Sequence, residues 1–312
     1  MVKGLPAVLI EAFSAAPLGG NGAAVVQLAT APPAHWMQSV AGRLQQSETA
    51  FLLPWQGAWA LRWFTPCQEV PLCGHATLAA ILALGFWQRL PGDGCTTFLT
   101  RSGPLSVRCL REVSPESAAQ PALAQIELPS HSLEPLEAPQ DVVALLQRRH
   151  PQGLERFWQS SLGYQVGLLS PSAPLAQWHG CAAELEGPAR RGLVLMQALP
   201  PGPEARAEVA GMGADYQLRF FAPGLGIDED AVTGSAHALV APYWLKLLEK
   251  PRVVGWQCSD RPGGMVCEAV SSGMIRLSGS GHLLWEGTFW AEPEDGWAPG
   301  EALADWRLAC GL

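Results

Sequence analysis

Two short glycine-led segments carry the residues of this sequence whose types and spacing could do chemistry. His75 follows Gly74 at the start of one apolar run, and Ser235 follows Gly234 at the start of another. If each run is a helix, its first turn presents unpaired N–H groups and partial positive charge, which together can hold an anion. The same partial charge disfavours a protonated imidazole, so we expect His75 to be neutral and able to donate or accept a proton. A capping or core role explains His75 equally well.

Two further side chains in the first half of the chain could take part in proton transfer. Glu48 stands at the mouth of a predicted strand. It is either a solvated strand-end residue or a general base whose pKa is raised by partial burial. Cys73 immediately precedes Gly74 and is either a small buried residue or an activated thiolate at a helix start. Spacing alone leaves both pairs of alternatives open.

Three consecutive acidic residues, Asp228, Glu229 and Asp230, come shortly before the second glycine. Acids near a helix start commonly stabilise it, by roughly 0.3–1 kcal/mol each, and Ser235 is a plausible N-cap. These structural roles are the simplest interpretation. However, His75 and Ser235 follow equivalent glycines, so an acid, an imidazole and a hydroxyl could converge on one cleft.

The two glycine-led segments belong to a longer internal repeat. Residues 61–66 read LRWFTP and residues 218–223 read LRFFAP, and each stretch is followed by an acid-bearing loop and then by the glycine. A supersecondary unit repeated at this separation indicates two similar half-molecules, each sending one helix start toward a shared place. The repeat therefore predicts a cleft enzyme built from two alike domains.

Hydrophobic periodicity predicts the elements that must position these residues. The predicted helices cover 35–44, 76–88, 142–149 and 235–248. The predicted strands cover 7–13, 23–28, 47–53, 58–64, 126–128, 164–169, 192–197, 218–221, 264–269, 274–278 and 283–291. The helix at 76–88 is apolar on nearly all sides, so we expect it to be buried, as it would be inside antiparallel strands.

The segments between these elements suggest where the domains meet. The proline-rich stretch 113–139 is predicted to contain the crossing between domains, and 199–203 to be a loop. Residues 292–312 show no strong pattern and are expected to pack back on the first domain.

Composition narrows the class of protein. A chain of 312 residues fits two domains, and 48% hydrophobic with 15% charged residues is typical of a globular protein. With 20 basic against 28 acidic residues and no basic cluster, the net charge of −8 argues against binding nucleic acid or an anionic membrane. The eight scattered cysteines are typical of reduced thiols. The first residues lack a signal-peptide pattern, and the longest apolar run is too short to span a bilayer. We therefore predict a cytoplasmic protein.

Other chemistries lack their motifs. The sequence contains no Gly-x-Ser-x-Gly elbow, no P-loop and no closely spaced His/Cys ligand set. No recognisable motif supplies a base for a nucleophilic Ser235. Metal binding and nucleotide hydrolysis are accordingly not predicted.

Several segments, in the same order along the chain, resemble the PhzF-like family of isomerases related to phenazine biosynthesis. In the first half the matching stretches are 11–13 (EAF), 20–21 (GN), 47–51 (SETAF), 62–66 (RWFTP), 69–70 (EV) and 72–77 (LCGHAT). In the second half they are 226–227 (GI), 229–230 (ED), 233–237 (TGSAH), 257–259 (QCS) and 261–264 (RPGG). The resemblance runs from about residue 7 to about residue 290.

The resemblance implies a diaminopimelate epimerase-like α+β fold. Two similar domains would each wrap a curled, mostly antiparallel sheet around a central helix, with the active site between them. On this basis we expect one domain at 1–127, with about 285–312 packing back on it, and the other at 128–284. The resemblance also implies a homodimer and no cofactor or metal.

The resemblance further implies a proton-shift isomerase acting on a small unsaturated carboxylated metabolite. Glu48 would be the general acid/base, and His75 and Asp230 would complete the proton path. A single carboxylate can remove a proton and return it elsewhere on the same face of the substrate. The expected substrate-binding residues are Gly74, Cys73, Gly234 and Ser235.

Two alternatives differ from this expectation. Related epimerases use one cysteine before a glycine in each half, but here Cys73 has Ala231 as its equivalent, which argues against two-base epimerisation. A catalytically silent binding or scaffold protein of the same fold is the other alternative. The presence of Glu48, His75 and Asp230 together argues against it, because a scaffold needs none of these groups.

Overall fold

The computed structural model of the chain describes residues 4–112, 121–150, 153–200, 207–270, 273–290 and 299–312. Most of the predicted loop at 199–203, and residues 113–120 of the predicted crossing stretch, lie outside the described residues. The chain forms two compact units, one of residues 1–127 and 278–312 and the other of residues 128–277.

In its described residues, the first unit contains three α-helices and most of the early strands. Its elements are β1 (Leu5–Ala12), β2 (Asn21–Gln27), α1 (Ala34–Leu44), β3 (Glu48–Trp55), β4 (Ala58–Phe64), β5 (Glu69–Val70), α2 (Gly74–Phe86), β6 (Cys95–Thr100), β7 (Gly103–Arg111), β8 (Ala122–Pro129) and α5 (Pro299–Cys310). The unit boundaries fall inside β8 and inside the long strand β19 (Met274–Phe289), which pairs with β1.

The described part of the second unit contains two α-helices and the remaining strands. Its elements are β9 (Leu133–Pro135), α3 (Gln140–Arg149), β10 (Leu154–Ser160), β11 (Gln165–Leu169), β12 (Leu193–Ala198), β13 (Glu208–Val209), β14 (Met212–Gly213), β15 (Tyr216–Ala222), β16 (Ile227–Asp230), α4 (Gly234–Leu247), β17 (Arg252–Gln257) and β18 (Gly263–Val270). Three short 3₁₀ turns, Leu175–Gln177, Cys181–Glu184 and Gly187–Arg191, connect β11 to β12.

The two units repeat the same order of strand pairing. In the first, β1 is antiparallel to β2, β2 parallel to β3, β3 antiparallel to β4, β4 parallel to β6 and β6 antiparallel to β7. In the second, β10, β11, β12, β15, β17 and β18 follow each other with the same sequence of directions. The short strands β5 and β16 add to β4 and β15 in the same way. The repeat seen in the sequence is therefore a repeat of topology.

Each unit places one apolar helix against its sheet. Helix α2 packs against β1, β2, β3 and β7, and Gly74 to Gly85 are all buried. Helix α4 packs against β17 and β18. A helix that is apolar on all sides can only be stable when it is covered on all sides, which explains the buried position of α2. The predicted α+β class, with mainly antiparallel sheets and central helices, is confirmed.

An outer layer covers the other face of the first unit. Trp36, Met37 and Val40 of α1 and Trp306 of α5 pack in one apolar cluster with Phe51. The sequence showed no strong pattern for α5, because its apolar residues are spread around the helix: Ala302, Trp306 and Cys310 are buried, whereas Leu308 is 88% exposed. The two strands predicted at 274–278 and 283–291 are a single strand, β19. Within the described residues, no helix is both long and apolar enough to cross a membrane.

Candidate active site

A carboxylate–imidazole pair stands at the N-terminus of α2. Glu48 is the first residue of β3 and His75 is the second residue of α2. Glu48 Oε2 lies 3.0 Å from His75 Nε2, and the two side chains are 13% and 3% exposed. Two residues 27 positions apart in the sequence are thus within proton-transfer distance in a nearly dry environment. The structure brings together these two predicted residues of the first half.

Two polar residues complete the surroundings of the imidazole. Asn21 Nδ2 lies 3.2 Å from His75 Nδ1, and the Ser47 hydroxyl lies 3.2 Å from His75 Nε2. Ser47 also lies 2.9 Å from Asn21 Oδ1 and 2.9 Å from the carbonyl oxygen of Gly22. The sequence analysis assigned no role to Asn21 or Ser47, although both lie in stretches that resemble the family.

Backbone geometry explains why Asn21 points at this place. Gly20 has a φ of +75°, and a Cβ there would lie 2.5 Å from the carbonyl oxygen of Ala12. Only glycine adopts this conformation at so close an approach without strain. The turn before β2 therefore depends on Gly20, and it delivers Asn21 fully buried.

His75 is more basic than expected. Burial lowers the pKa of His75, but Cys73 and Glu48 raise it more, and the net pKa is well above the usual value. The expectation of a neutral imidazole was wrong in direction. A helix end carries only about half an elementary charge, whereas Glu48 places a full negative charge in contact with the ring.

Cys73 is a thiol rather than an activated thiolate. Its Sγ lies 3.4 Å from His75 Nδ1. Burial and, to a smaller degree, the Glu48 carboxylate raise the pKa of Cys73 to about 11. Of the two readings of this residue, the structure favours the small buried side chain. At neutral pH the charge that acts on His75 is then that of Glu48.

The side chains of Glu48, Cys73 and His75 are close enough together to be considered as metal ligands. Glu48, Cys73 and His75 each have a potential ligand atom within 4.8 Å of the others. Both ring nitrogens of His75 already contact protein atoms, and Cys73 is protonated at neutral pH. We therefore treat the cluster as a proton-transfer group and do not assign it as a set of metal ligands.

The second unit holds Asp230 in a buried turn before α4. Asp230 is the last residue of β16, and its Oδ2 accepts a hydrogen bond of 2.6 Å from the Thr233 hydroxyl. Gln257 donates to the carbonyl oxygen of Asp230 at 2.6 Å and accepts from the Thr233 N–H at 2.7 Å. Gln257 is fully buried, and its two hydrogen bonds hold both ends of the turn. The sequence analysis had assigned no role to Thr233 or Gln257.

At the start of α4, neither the acids nor Ser235 has the capping role considered for it from the sequence. Thr233 is the N-cap of α4, Gly234 is the first helical residue, and Ser235 is half-buried in the first turn. Asp228, Glu229 and Asp230 belong to β16 rather than to the helix. The N-cap role considered for Ser235 was therefore wrong, because α4 begins at Gly234 and Ser235 is its second residue.

A buried ion pair occurs at equivalent places in the two units. Arg62 of β4 makes two hydrogen bonds, of 2.7 and 2.8 Å, to Glu69 of β5. Arg219 of β15 makes two, of 2.7 and 2.5 Å, to Glu229 of β16. Their guanidinium carbons lie 5.5 and 5.4 Å from the ring centroids of Phe64 and Phe221.

The ion pairs explain the arginine and the phenylalanine of each repeated stretch. In both units the pair ties a central strand to the short strand that leads into the glycine-led helix. The repeated Arg-x-Phe pattern was the signal that could have indicated it. Glu229, read from sequence as a helix-stabilising acid, is instead the partner of Arg219.

The second unit also contains a cavity of about 360 Å³. Its lining includes Cys181, Phe221, Glu229, Ala231, Ser259 and Asp260. The Ser259 hydroxyl donates to the carbonyl oxygen of Ala231 at 2.7 Å. The expected equivalence of Cys73 with Ala231 was wrong, because Cys73 and Thr233 each cap a glycine-led helix and Ala231 is the equivalent of Pro71.

Comparison with known proteins gives a consistent result. Residues 10–163 and 194–287 match the model of the phenazine biosynthesis-like protein family, PhzC-PhzF. An uncharacterized isomerase from Pseudomonas aeruginosa is 33% identical over 86% of this chain and 97% of its own length. The human phenazine biosynthesis-like domain-containing protein is 32% identical over 92% of this chain and 99% of its own length.

Solved structures show the same fold. The PhzF-family phenazine biosynthesis protein of Enterococcus faecalis is 27% identical, with a TM-score of 0.75 over 93% of this chain and 100% of that chain. A hydroxyproline epimerase from Agrobacterium vitis is 11% identical with a TM-score of 0.57, over 93% of this chain and 94% of that chain, and shares the fold alone. The diaminopimelate epimerase-like fold expected from the resemblance is confirmed.

Proposed function

This chain belongs to the phenazine biosynthesis-like family and is an isomerase of that family, and we propose that it moves a proton within a small unsaturated carboxylated metabolite without a cofactor. The observation that carries the proposal is the Glu48–His75 pair, whose reacting atoms are 3.0 Å apart at the start of the buried helix α2. A carboxylate in contact with an imidazole can take a proton from carbon and return it.

In the proposed mechanism Glu48 is the general acid/base. It removes a proton next to the unsaturated acid and returns it at another carbon on the same face. His75, whose raised pKa keeps the imidazole charged, orients the Glu48 carboxylate before it takes the proton, and Glu48 holds that proton as a carboxylic acid between the two steps. Asp230, whose carboxylate is held by Thr233, is proposed as the second proton-carrying group.

The substrate carboxylate is proposed to bind at the glycine-led helix starts. Gly74 and Gly234 open α2 and α4, where the first N–H groups have no partner within the helix. Neither N-cap residue, Cys73 nor Thr233, makes a side-chain capping bond among the described residues. The backbone N–H groups of these first turns can therefore donate to an anionic ligand. In this proposal Ser235 adds a hydroxyl donor, and Cys73 lines the site as an uncharged thiol.

The test is deuterium uptake from D₂O into the metabolites of a cell extract, followed by mass spectrometry. We expect one metabolite to gain a single deuterium with the native protein and none with Glu48→Gln. Glu286→Gln, the same change at an exposed position of β19, is the matched control and should behave as native. A metabolite labelled equally by native protein and Glu48→Gln would refute Glu48 as the acid/base.

The alternatives predict other outcomes of the same experiment. A binding or scaffold protein would label nothing with either protein, although both are folded. A two-base epimerase would incorporate deuterium at a stereocentre with inversion. Thr233, in place of a second cysteine before Gly234, argues against this second outcome.

We further propose that the protein acts as a cytoplasmic homodimer that binds neither nucleic acid nor membrane. The net charge of −8 supports the latter part. Sedimentation equilibrium of the purified chain tests the dimer directly, since a mass of 33.3 kDa at micromolar concentration would contradict it.

A further inference from the structure

The contacts around His75 form a closed relay of hydrogen bonds. The ring contacts Asn21 through Nδ1 and Ser47 through Nε2, and Asn21 and Ser47 contact each other. Ser47 has a second acceptor, the carbonyl oxygen of Gly22, at the same distance of 2.9 Å as Asn21 Oδ1. A hydroxyl has one hydrogen, so Ser47 donates to one of these two oxygens at a time.

In the first arrangement of this relay Ser47 donates to Asn21 Oδ1. The amide NH₂ of Asn21 then faces His75 Nδ1 at 3.2 Å, and an NH₂ group can only donate. Nδ1 must therefore accept, and the single ring proton is on Nε2, where Glu48 lies 3.0 Å away. The contacts that join His75, Asn21 and Ser47 are then matched in direction while the imidazole is neutral.

In the second arrangement the Asn21 amide is turned by half a revolution. Its oxygen then faces Nδ1 and accepts a proton from it, while its NH₂ donates to the Ser47 oxygen. Ser47 in turn donates to the carbonyl oxygen of Gly22. These contacts are again matched in direction, but the imidazole now carries a proton on both nitrogens. The same two side chains thus match both charge states of the ring.

We propose that Asn21 and Ser47 are positioning residues that fix the His75 ring and let Nδ1 gain or lose a proton through a coupled turn of the amide and the hydroxyl. The inference rests on the proposed function. If the protonation state of His75 changes when Glu48 gains or loses its proton, the ring must exchange its hydrogen bonds while it stays in place. Burial makes the relay necessary, since Asn21 is fully buried and His75 is 3% exposed, so bulk water cannot supply the missing partners.

The test is a pH titration of His75 by ¹⁵N NMR of the histidine ring nitrogens, which needs no substrate. His75 is identified among the seven histidines by the signal lost in His75→Gln. The titratable groups that face the ring are Glu48 from β3 and Cys73 from the residue before α2. Exposed Ser39, which donates to the carbonyl oxygen of His35, supplies the control variant Ser39→Ala.

Two substitutions of Asn21 should move the titration in opposite directions. In Asn21→Asp the atom that faces His75 Nδ1 is a carboxylate oxygen, which only accepts. The midpoint of the His75 titration should therefore rise by about one pH unit or more. In Asn21→Leu neither form of Nδ1 has its amide partner, and the midpoint should fall because the charged ring loses more. Asn21→Ala replaces Asn21→Leu if that variant does not fold. A merely structural role would shift both midpoints the same way or leave both unchanged, and either result overturns the proposal.

Ser47 is tested by loss and rescue. We expect Ser47→Ala to lower the rate of Glu48-dependent deuterium exchange by roughly ten- to a hundredfold, and Ser47→Thr, which keeps the hydroxyl, to restore most of it. An unchanged rate in Ser47→Ala would remove Ser47 from the relay. If no exchange is found with the native protein, the proposed function fails, whereas the two NMR titrations still decide the relay.

Discussion

The ion pair between Arg219 and Glu229 leads to a quantitative prediction about stability. The Arg219 side chain is 1% exposed and makes two charge-assisted hydrogen bonds to Glu229. In Glu229→Gln the guanidinium keeps two neutral acceptors, the amide oxygen of the new side chain and the carbonyl oxygen of Ala176 at 3.5 Å. The carboxylate of Asp260 is 4.0 Å away and 76% exposed. An arginine buried without its partner costs about 3–5 kcal/mol. We therefore expect Glu229→Gln to lower the free energy of unfolding by that amount.

The equivalent pair in the first unit is the internal comparison. Arg62 is 2% exposed, but besides Glu69 it contacts Asp305 of α5 at 2.6 Å. In Glu69→Gln this second carboxylate still neutralises the guanidinium. The loss should therefore be smaller, about 1.5–3 kcal/mol, the range for hydrogen bonds to a charged group. The difference between two chemically identical substitutions thus depends on one contact from the C-terminal helix.

A double substitution separates the cost of an orphaned charge from the net value of the pair. Burial raises the pKa of Glu229 more than the Arg219 guanidinium lowers it, so the pair gains little beyond its own desolvation. Arg219→Met combined with Glu229→Leu should therefore be less destabilising than Glu229→Gln alone.

Urea unfolding followed by tryptophan fluorescence measures all four proteins under one condition. The reasoning is refuted if Glu229→Gln costs less than Glu69→Gln, or if the double substitution is the most destabilised of the set. Loss of activity in Glu229→Gln is also expected, because Asp230 is the next residue.

Three further predictions concern single buried residues. Burial lowers the pKa of His237 to about 3, so the unfolded chain binds a proton near pH 6.5 that the folded protein binds only near pH 3. Stability should therefore fall as pH decreases across that window, by about 1.4 kcal/mol per unit, and His237→Leu should flatten the fall in acid unfolding curves. A Cβ at Gly255 would lie 2.4 Å from both His237 Nδ1 and Tyr216 Oη, so Gly255→Ala should lose about 1–3 kcal/mol in urea unfolding, whereas Gly213→Ala, with nothing within 4 Å, should lose much less. Since the pKa of Cys73 is about 11, native protein at pH 7 should be alkylated by iodoacetamide at exposed Cys67 and not at Cys73, as read by peptide mass spectrometry.

Much of the local structure could be predicted from the sequence. The predicted hairpin of β3 and β4 and the glycine-led helices α2 and α4 are present within two residues of their expected bounds. Their patterns are strong because the strands are continuous apolar runs and the helices are apolar on nearly every side. Helix α5 was missed for the opposite reason. Its burial depends on Trp306, whose Nε1 donates to Pro32, and no periodicity records a partner so distant in the chain.

The site shows the same division. The residues and the repeat raised Glu48, His75 and the acids before Gly234 as candidates, and the family resemblance singled out Glu48, His75 and Asp230. The stretches that carry the resemblance already contained Asn21 and Ser47. The charge on His75 could not be read from them, because it results from a carboxylate whose distance only the folded chain defines. The sequence indicated only the partial positive charge of the helix end, whereas the larger charge that acts on His75 is that of the Glu48 carboxylate.

By itself the sequence determined that this protein consists of two alike halves, each with a glycine-led apolar helix, and that it resembles proton-shift isomerases. These properties follow from the order of apolar and special residues along the chain, which is a one-dimensional property. The tertiary structure decided which groups meet: Glu48 with His75, Asn21 with Ser47, and each buried arginine with its glutamate. Protonation states depend on distance and burial in three dimensions, so the chemistry of the site was settled only when the strands and helices packed.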